Sequence, residues 1–449
     1  MDGHGPVRPP AAAFAFANGF VDVVATLPTG TRIATAGRCG GMSYASLDHL
    51  RAGRPVPHWP ARLFAPGRVP PDGHLVADLV RRRQLDSFAS WSALRFLTWC
   101  VLPDDDRGPL HGVRTLTCAE VPGILGALTA GRPVVLGLVV ARDVLRAGDN
   151  HQVVAHAHDR DEGGRLRLHV LDPNHPGEDV TLVDTGTGWR GSDGRTWRGL
   201  FLHAYAARRP PALPSASRRP SAPVRDGDAV GLLHVASGRA LAGHGTAAVV
   251  VAHDVPAWVV EVVPPDDGTT TADATTTDAA TATDAATAMA TATATTPDAA
   301  TATDAATAPA TDAVPATDPA RVSRAGSGAA WTAATARPVV DGDRVRLRQA
   351  GGGEVLALAP TGPALARDAD DVWRVDVDGG GRWRAGARVR LVHVGSGGAL
   401  RVPRGRTARL PVTADAAADD RTWWTVADDA CTATPTGTTP PTGTTSPTD

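Results

Sequence analysis

Cys39 lies in the run Gly37-Arg38-Cys39-Gly40-Gly41-Met42-Ser43-Tyr44-Ala45, after a glycine-flanked turn and before a helix predicted from Met42 to about Leu50. A cysteine at a helix start feels the positive end of the helix dipole, which favours the nucleophilic thiolate. Further on, Asp149-Asn150-His151-Gln152-Val153-Val154 brings a histidine and Leu171-Asp172-Pro173-Asn174 brings a carboxylate. A thiol, a base and an acid to orient the base are the parts of covalent acyl-transfer chemistry.

Those side chains need elements to bring them together. Residues 151 to 159 alternate like a strand, residues 160 to 164 form a turn, and residues 165 to 172 form a second strand. Folding about Asp161 and Glu162 sets His151 opposite Asp172, both facing an apolar interior. The other reading of the pair is a core histidine satisfied by a turn carboxylate. On this register His156, His158 and His169 share the opposite face, as three potential metal ligands or as a solvated polar face; the second reading is adopted, with no metal. Asn174 and His175 shape the turn after Asp172, and Asn174 is the fallback orienter. Upstream, residues 121 to 130 read as a helix ending at Gly131, followed by a buried strand over 132 to 140. Trp91 and Trp99 are expected in the core, as are Cys100 and Cys118; Asp104, Asp105 and Asp106 are expected in an exposed loop, and Cys431 in a polar tail.

Composition narrows the chemistry. The chain has 449 residues, room for two or three domains, and a formal net charge of -2, so nothing draws it generally to nucleic acid or anionic lipid. All 45 basic residues are arginine, which excludes lysine Schiff-base chemistry. The excess of Ala, Arg, Gly and Thr fits the codon usage of a GC-rich bacterium. The 4 cysteines have no metal or disulfide spacing. No stretch is long enough to span a membrane, and no clear signal peptide opens the chain, so a cytoplasmic protein is expected.

Three regions separate by composition: a mixed globular domain over 14–207, a Pro/Ser/Arg linker over 208–225, and a strand-rich domain over 226–427. The last is interrupted by a Thr/Ala/Asp/Pro insertion, 266–320, in which TATDAATA occurs twice. That insertion and the tail, 428–449, are expected to be disordered. A fragment ending near Arg209 is expected to fold alone. The strand-rich domain repeats itself in units of roughly 40 residues. Asp226-Gly227-Asp228, Asp341-Gly342-Asp343 and Ala385-Gly386-Ala387 open the copies, Leu241, Leu356 and Leu400 correspond, and Trp258, Trp373 and Trp424 mark the later strands.

Three copies of this unit, with the phrase G-D-x-V-x-L-x-H-x-x-S-G-x-x-L, resemble β-trefoils of the MIR, ricin-B or fascin kind, over 226–262 and 331–427. That resemblance implies an all-β trefoil binding a glycan or a protein, though no repeated Gln-x-Trp sugar motif is present. The N-terminal order of Cys-helix, Gly-Arg-Pro strand, Asn-His-Gln-Val-Val and Leu-Asp-Pro-Asn resembles the papain-like cysteine peptidases, specifically the C39-like branch. It implies an α+β fold over 14–207, Cys39 as nucleophile, His151 as base, Asp172 as orienter, a peptide or protein substrate, and no cofactor. The family places an oxyanion-hole Gln a few residues before the cysteine. Here Ile33 stands in that stretch, and Asn18, with its side-chain amide, is the substitute beside the Cys39 N–H; the other reading of Asn18 is turn chemistry next to Gly19. The expected function is thiol hydrolysis of peptide or other amide bonds with the trefoil as target-binding module. The alternatives are an acyl transferase using the same triad, and a non-enzymatic binding protein with an inactive peptidase-like domain.

Overall fold

The computed structural model describes residues 12–26, 32–264, 336–367, 369–405, 407, 409–415 and 419–428. The insertion, nearly all of the tail, Cys431 and the first ten residues, on which several expectations fall, lie outside them. The described chain is mostly β with few helices.

A hairpin of β1 (Val21–Thr26) and β2 (Arg32–Ala36) pairs Val21 with Ala36. Four helices follow: α1 (Cys39–Arg51), α2 (Leu75–Phe88), α3 (Trp91–Val101) and α4 (Val113–Thr129). The helix expected from residue 121 thus begins at Val113. Val113, Thr117, Ile124 and Leu128 keep one buried face in step across Pro122, so the apolar period outweighs the missing N–H. Seven strands then form one antiparallel sheet: β3 (Val134–Val139), β4 (His151–Arg160), β5 (Leu166–Leu171), β6 (Val180–Asp184), β7 (Trp189–Gly191), β8 (Thr196–Trp197) and β9 (Gly199–Leu202), in the order β8-β7-β6-β5-β4-β3-β9.

Both faces of the central strands are covered. Leu136, Leu138, Val153, Ala155, Leu168 and Val170 pack with Ile124 and Leu128 of α4. Val135, Val154 and Leu171 point the other way, onto Tyr44 and Leu47 of α1. Strand alternation therefore feeds two interiors, which is why β4 begins with an unbroken buried run.

The β4–β5 register differs from the expected one. Val154 pairs with Leu171 and Arg160 with Leu166, with a bulge between Ala155 and Ala157. The turn is centred later than expected, because the Asp161 N–H donates to the Arg165 carbonyl and the Gly164 N–H to the Asp161 carbonyl. His151 therefore lies beyond the end of β5, and Asp172 is not its ladder partner.

The C-terminal part is built from three similar sets of strands. The opening strand of each set pairs with the closing strand of another: Ala229–His234 with Trp424–Val426, Arg344–Gln349 with Ala257–Val263, and Val389–His393 with Trp373–Val377. Pairings within and between the sets close these six strands into a ring. Trp258, Trp373 and Trp424 are fully buried in it, and their indole N–H groups donate to the carbonyls of Leu241, Leu356 and Leu400. The repeats read from the sequence thus correspond bond for bond at these positions.

Residues 208–225 are not a free connection. Ala216 bridges Ala427, Pro223 bridges Arg384 and Arg225 bridges Pro338, while the Pro214 carbonyl accepts from the Trp59 indole. One apolar cluster holds Phe14, Phe16, Phe20, Met42, Trp59, Val76 and Val80 together with Leu233, Val235, Ala240, Val255 and Ala427. The N-terminal part and the ring domain therefore share a core, which corrects the expectation that a fragment ending near Arg209 is self-sufficient.

Candidate active site

α1 starts at Cys39, whose side chain is partly exposed. The first N–H groups of a helix have no partner within it. Here the Gly41 N–H finds one outside, donating to Gln84 Oε1 of α2 at 2.7 Å, which ties the helix start to its neighbour. The two glycines after Cys39 have steric causes. A Cβ on Gly41 would stand 2.1 Å from the Val80 carbonyl oxygen, and one on Gly40 would stand 2.5 Å from Ser87 Oγ and 2.7 Å from Gln152 Nε2. One turn on, Ser43 Oγ donates to the Gln152 carbonyl at 3.0 Å, fixing α1 against the strand that begins with His151.

His151 and Asp172 are both buried, and His151 Nε2 lies 2.7 Å from Asp172 Oδ1. The Asp-Pro turn makes this possible, since Asp172 leaves β5 and its Oδ1 also accepts the Asn174 N–H at 2.7 Å. The Cys39 side chain is near enough to His151 to act on its charge. With Nε2 on Asp172, Nδ1 is the ring nitrogen left for the sulfur. Burial works against a charged imidazole, but the hydrogen bond to Asp172, the Asp172 charge and the neighbouring Cys39 side chain outweigh it and raise the His151 pKa to about 10. Asp172 is pushed up by burial and down, more strongly, by His151, so its carboxyl lies below the ordinary range. Asn174 Nδ2 stands 3.4 Å from His151 Nε2, beside the pair rather than in place of Asp172.

Trp197, which sequence reading did not single out, stacks on the imidazole with ring centroids 5.9 Å apart and planes 15° apart. It is buried and screens His151 from water. Its neighbour Arg198 is buried too, donating to Asp104 and to the carbonyls of Ala141 and Leu102. Asp104 of the supposedly exposed acidic run is thus an anchor for the strand that carries Trp197. No local pattern marks either residue, because both act through contacts distant in sequence.

Asn18 lies close to Cys39 despite the sequence separation. The β1–β2 hairpin closes between them, leaving only Gly19, Phe20, Gly37 and Arg38 outside its paired ends. Asn18 Oδ1 accepts the Arg38 N–H at 2.6 Å, which orients the amide and leaves its donor end, Nδ2, without a partner among the described residues. Gly37, at φ +102°, has no room for a Cβ against that amide. A cleft of about 650 Å³ is lined by Asn18, Phe20, Asn150, His151, Arg195 and Trp197 among others.

The three other histidines do not converge. His156 and His169 have ring centroids 6.2 Å apart, whereas His158 meets Thr129. The bulge breaks the regular alternation that had aligned them. Asp172, His175 and Asp193 form the one grouping among the described residues with ligand atoms close enough for a metal ion. An ion there would compete with His151 for Asp172. Cys100 is buried as expected; Cys118 is exposed on α4, and Trp91 is 81% exposed, both against expectation, because each falls off its helix's buried stripe.

No family model matches the chain, and no curated protein matches it. Similar solved structures include a Caenorhabditis elegans protein with unknown function, at 13% identity over 46% of this chain and 96% of that one, with a TM-score of 0.26. They also include the SDF2-like protein from Arabidopsis thaliana, at 15% identity over 45% and 94%, TM-score 0.27. A third is the S. cerevisiae protein O-mannosyltransferase Pmt1-Pmt2 complex bound to the sugar donor, at 14% identity over 50% and 27%, TM-score 0.26. Overlaps this loose assign neither a domain fold nor an activity. Among the described residues no helix is long and apolar enough to cross a membrane.

Proposed function

We propose that the chain is a thiol hydrolase of peptide or other amide bonds, with a papain-like α+β domain bearing Cys39, His151 and Asp172, and a β-trefoil that binds the target. The observation that carries this reading is one buried imidazole hydrogen-bonded to a carboxylate and set beside a helix-start thiol, beneath a stacked indole. The Cys39 sulfur attacks the carbonyl carbon and forms a tetrahedral adduct. Its oxyanion is met by the Cys39 N–H and Asn18 Nδ2. His151 gives its proton to the departing amine, leaving a thioester, and then takes a proton from the water that hydrolyses it. Asp172 fixes the tautomer and balances the imidazolium. Excision of the β1–β2 hairpin would set Asn18 where papain-like enzymes carry their oxyanion-hole glutamine, which supports the assignment. The closed strand ring with its repeated Trp–Leu bonds supports the trefoil reading.

Brief alkylation of the native protein with limiting iodoacetamide, followed by peptide mapping, tests the activated thiol. Cys39 is expected to react at least about tenfold faster than exposed Cys118, and to fall to the Cys118 rate in His151→Ala. Equal rates in the unaltered protein would remove the claim.

A further inference from the structure

A second cleft, of about 500 Å³, opens where α1, α3 and the end of β9 meet, and shares no lining residue with the one at His151. α1 joins the two, with Cys39 at its start and Arg51 at its end, about 18 Å apart at helical rise. Three side chains of this cleft have unused binding capacity.

His203 is 3% exposed. Its Nδ1 lies 3.0 Å from the Tyr44 hydroxyl and 3.2 Å from the Ala204 carbonyl oxygen. The Tyr44 hydroxyl donates to that same carbonyl, so its oxygen is left to accept, and the Nδ1 proton is the donor to both. Nε2 therefore carries a lone pair, and it is buried with no hydrogen-bond partner. Burial, opposed by the Ala204 bond and reinforced by Arg95, lowers the imidazole pKa to about 4, so this acceptor is uncharged at neutral pH. A buried acceptor left unpaired costs free energy that an incoming donor recovers.

Arg51 is exposed and lies over the Tyr205 ring at 4.8 Å. Among the described residues no carboxylate pairs with it. The cleft's acid, Glu120, is already engaged by Arg95 at 2.8 Å and by the Leu202 N–H at 3.0 Å. Two arginines against one glutamate leave one positive charge. Trp91 opens α3 at the rim with 81% of its surface exposed, a large apolar plane.

We propose that this cleft is a second ligand site, for a small organic carboxylate that also carries an N–H donor and an aromatic or aliphatic face. The carboxylate pairs with the Arg51 guanidinium, the N–H donates to His203 Nε2, and the apolar face covers Trp91. N-acylated amino acids have this set of groups.

Calorimetric titration of the full chain with three probes separates the contributions. N-acetyl-phenylalanine has all three groups, N-acetyl-phenylalaninamide lacks the charge, and 3-phenylpropanoate lacks the N–H. The first is expected to bind, with each of the others at least about fivefold weaker. Arg51→Gln is expected to weaken the first probe about tenfold and Trp91→Ala several-fold; both side chains are exposed, so the fold tolerates their loss. Arg195→Gln, an exposed change in the other cleft, should leave its binding unaltered. The proposal is overturned by no heat of binding up to about 10 mM of the first probe, by equal binding of its amide, by indifference to Arg51→Gln, or by loss on Arg195→Gln alone.

Discussion

At the scale of single residues, the site turns on which groups hold the proton of His151. An imidazole whose folded-state pKa is raised from 6.5 to about 10 contributes stability that is fully present below pH 6.5 and lost as the pH rises through about 10. Asp172, with a depressed pKa, acts in the opposite sense: its contribution is present above the ordinary carboxylate range and lost as the pH falls through its lowered value. Asp172→Asn removes the carboxylate hydrogen-bonded to the imidazole. The His151 titration, followed by imidazole nitrogen NMR with His151→Ala for assignment, should move down by at least about one unit. An unmoved midpoint would end the orienting role of Asp172. Trp197→Ala should open the pair to water and cost about 3 kcal/mol in denaturant unfolding as well; a variant as stable as the parent would show that the indole covers nothing of consequence. The pairing of His151 with Asp172 was legible in residue type and motif, but for a partly mistaken reason. The ladder does not bring them together; the Asp172-Pro173 turn does. Trp197 was not legible, because stacking across the sheet leaves no trace in a two-residue strand.

Among the elements, the start of α1 is set by how closely two helices approach. Gly41→Ala would place its Cβ 2.1 Å from a backbone carbonyl of α2, which cannot turn aside. Gly40→Ala meets the ends of Ser87 and Gln152, which can. Urea unfolding should show Gly41→Ala destabilised by about 3 kcal/mol and Gly40→Ala by clearly less. The reverse order would mean that α1 and α2 have room to part at Gly41. A helix beside Cys39 and the three-fold strand pattern could be read from Gly, Val and Trp spacing, although the helix begins at Cys39 itself and not at Met42. The β4–β5 register could not, because an Asp-Glu-Gly-Gly turn can be centred at more than one position, and a bulge then shifts one side of the ladder against the other.

For the whole molecule, the decisive feature is the cluster shared by Trp59, Val76 and Val80 with Leu233, Val235 and Val255. A fragment ending at Arg209 would expose it, and should be insoluble or melt well below the full chain. The intact protein should unfold in one calorimetric transition; two resolved transitions would mean that the parts fold separately. Composition could not reveal this, because an apolar residue reads the same whichever partner covers it. The consequence concerns exchange of parts. α2 meets Gly41 through Val80 and Gln84, and through the Val80 side chain it enters the core shared with the strand ring. Whoever transplants this thiol centre into another scaffold must therefore carry over the wall behind α2 as well, since the smallest portable version of the site is nearly the entire folded chain.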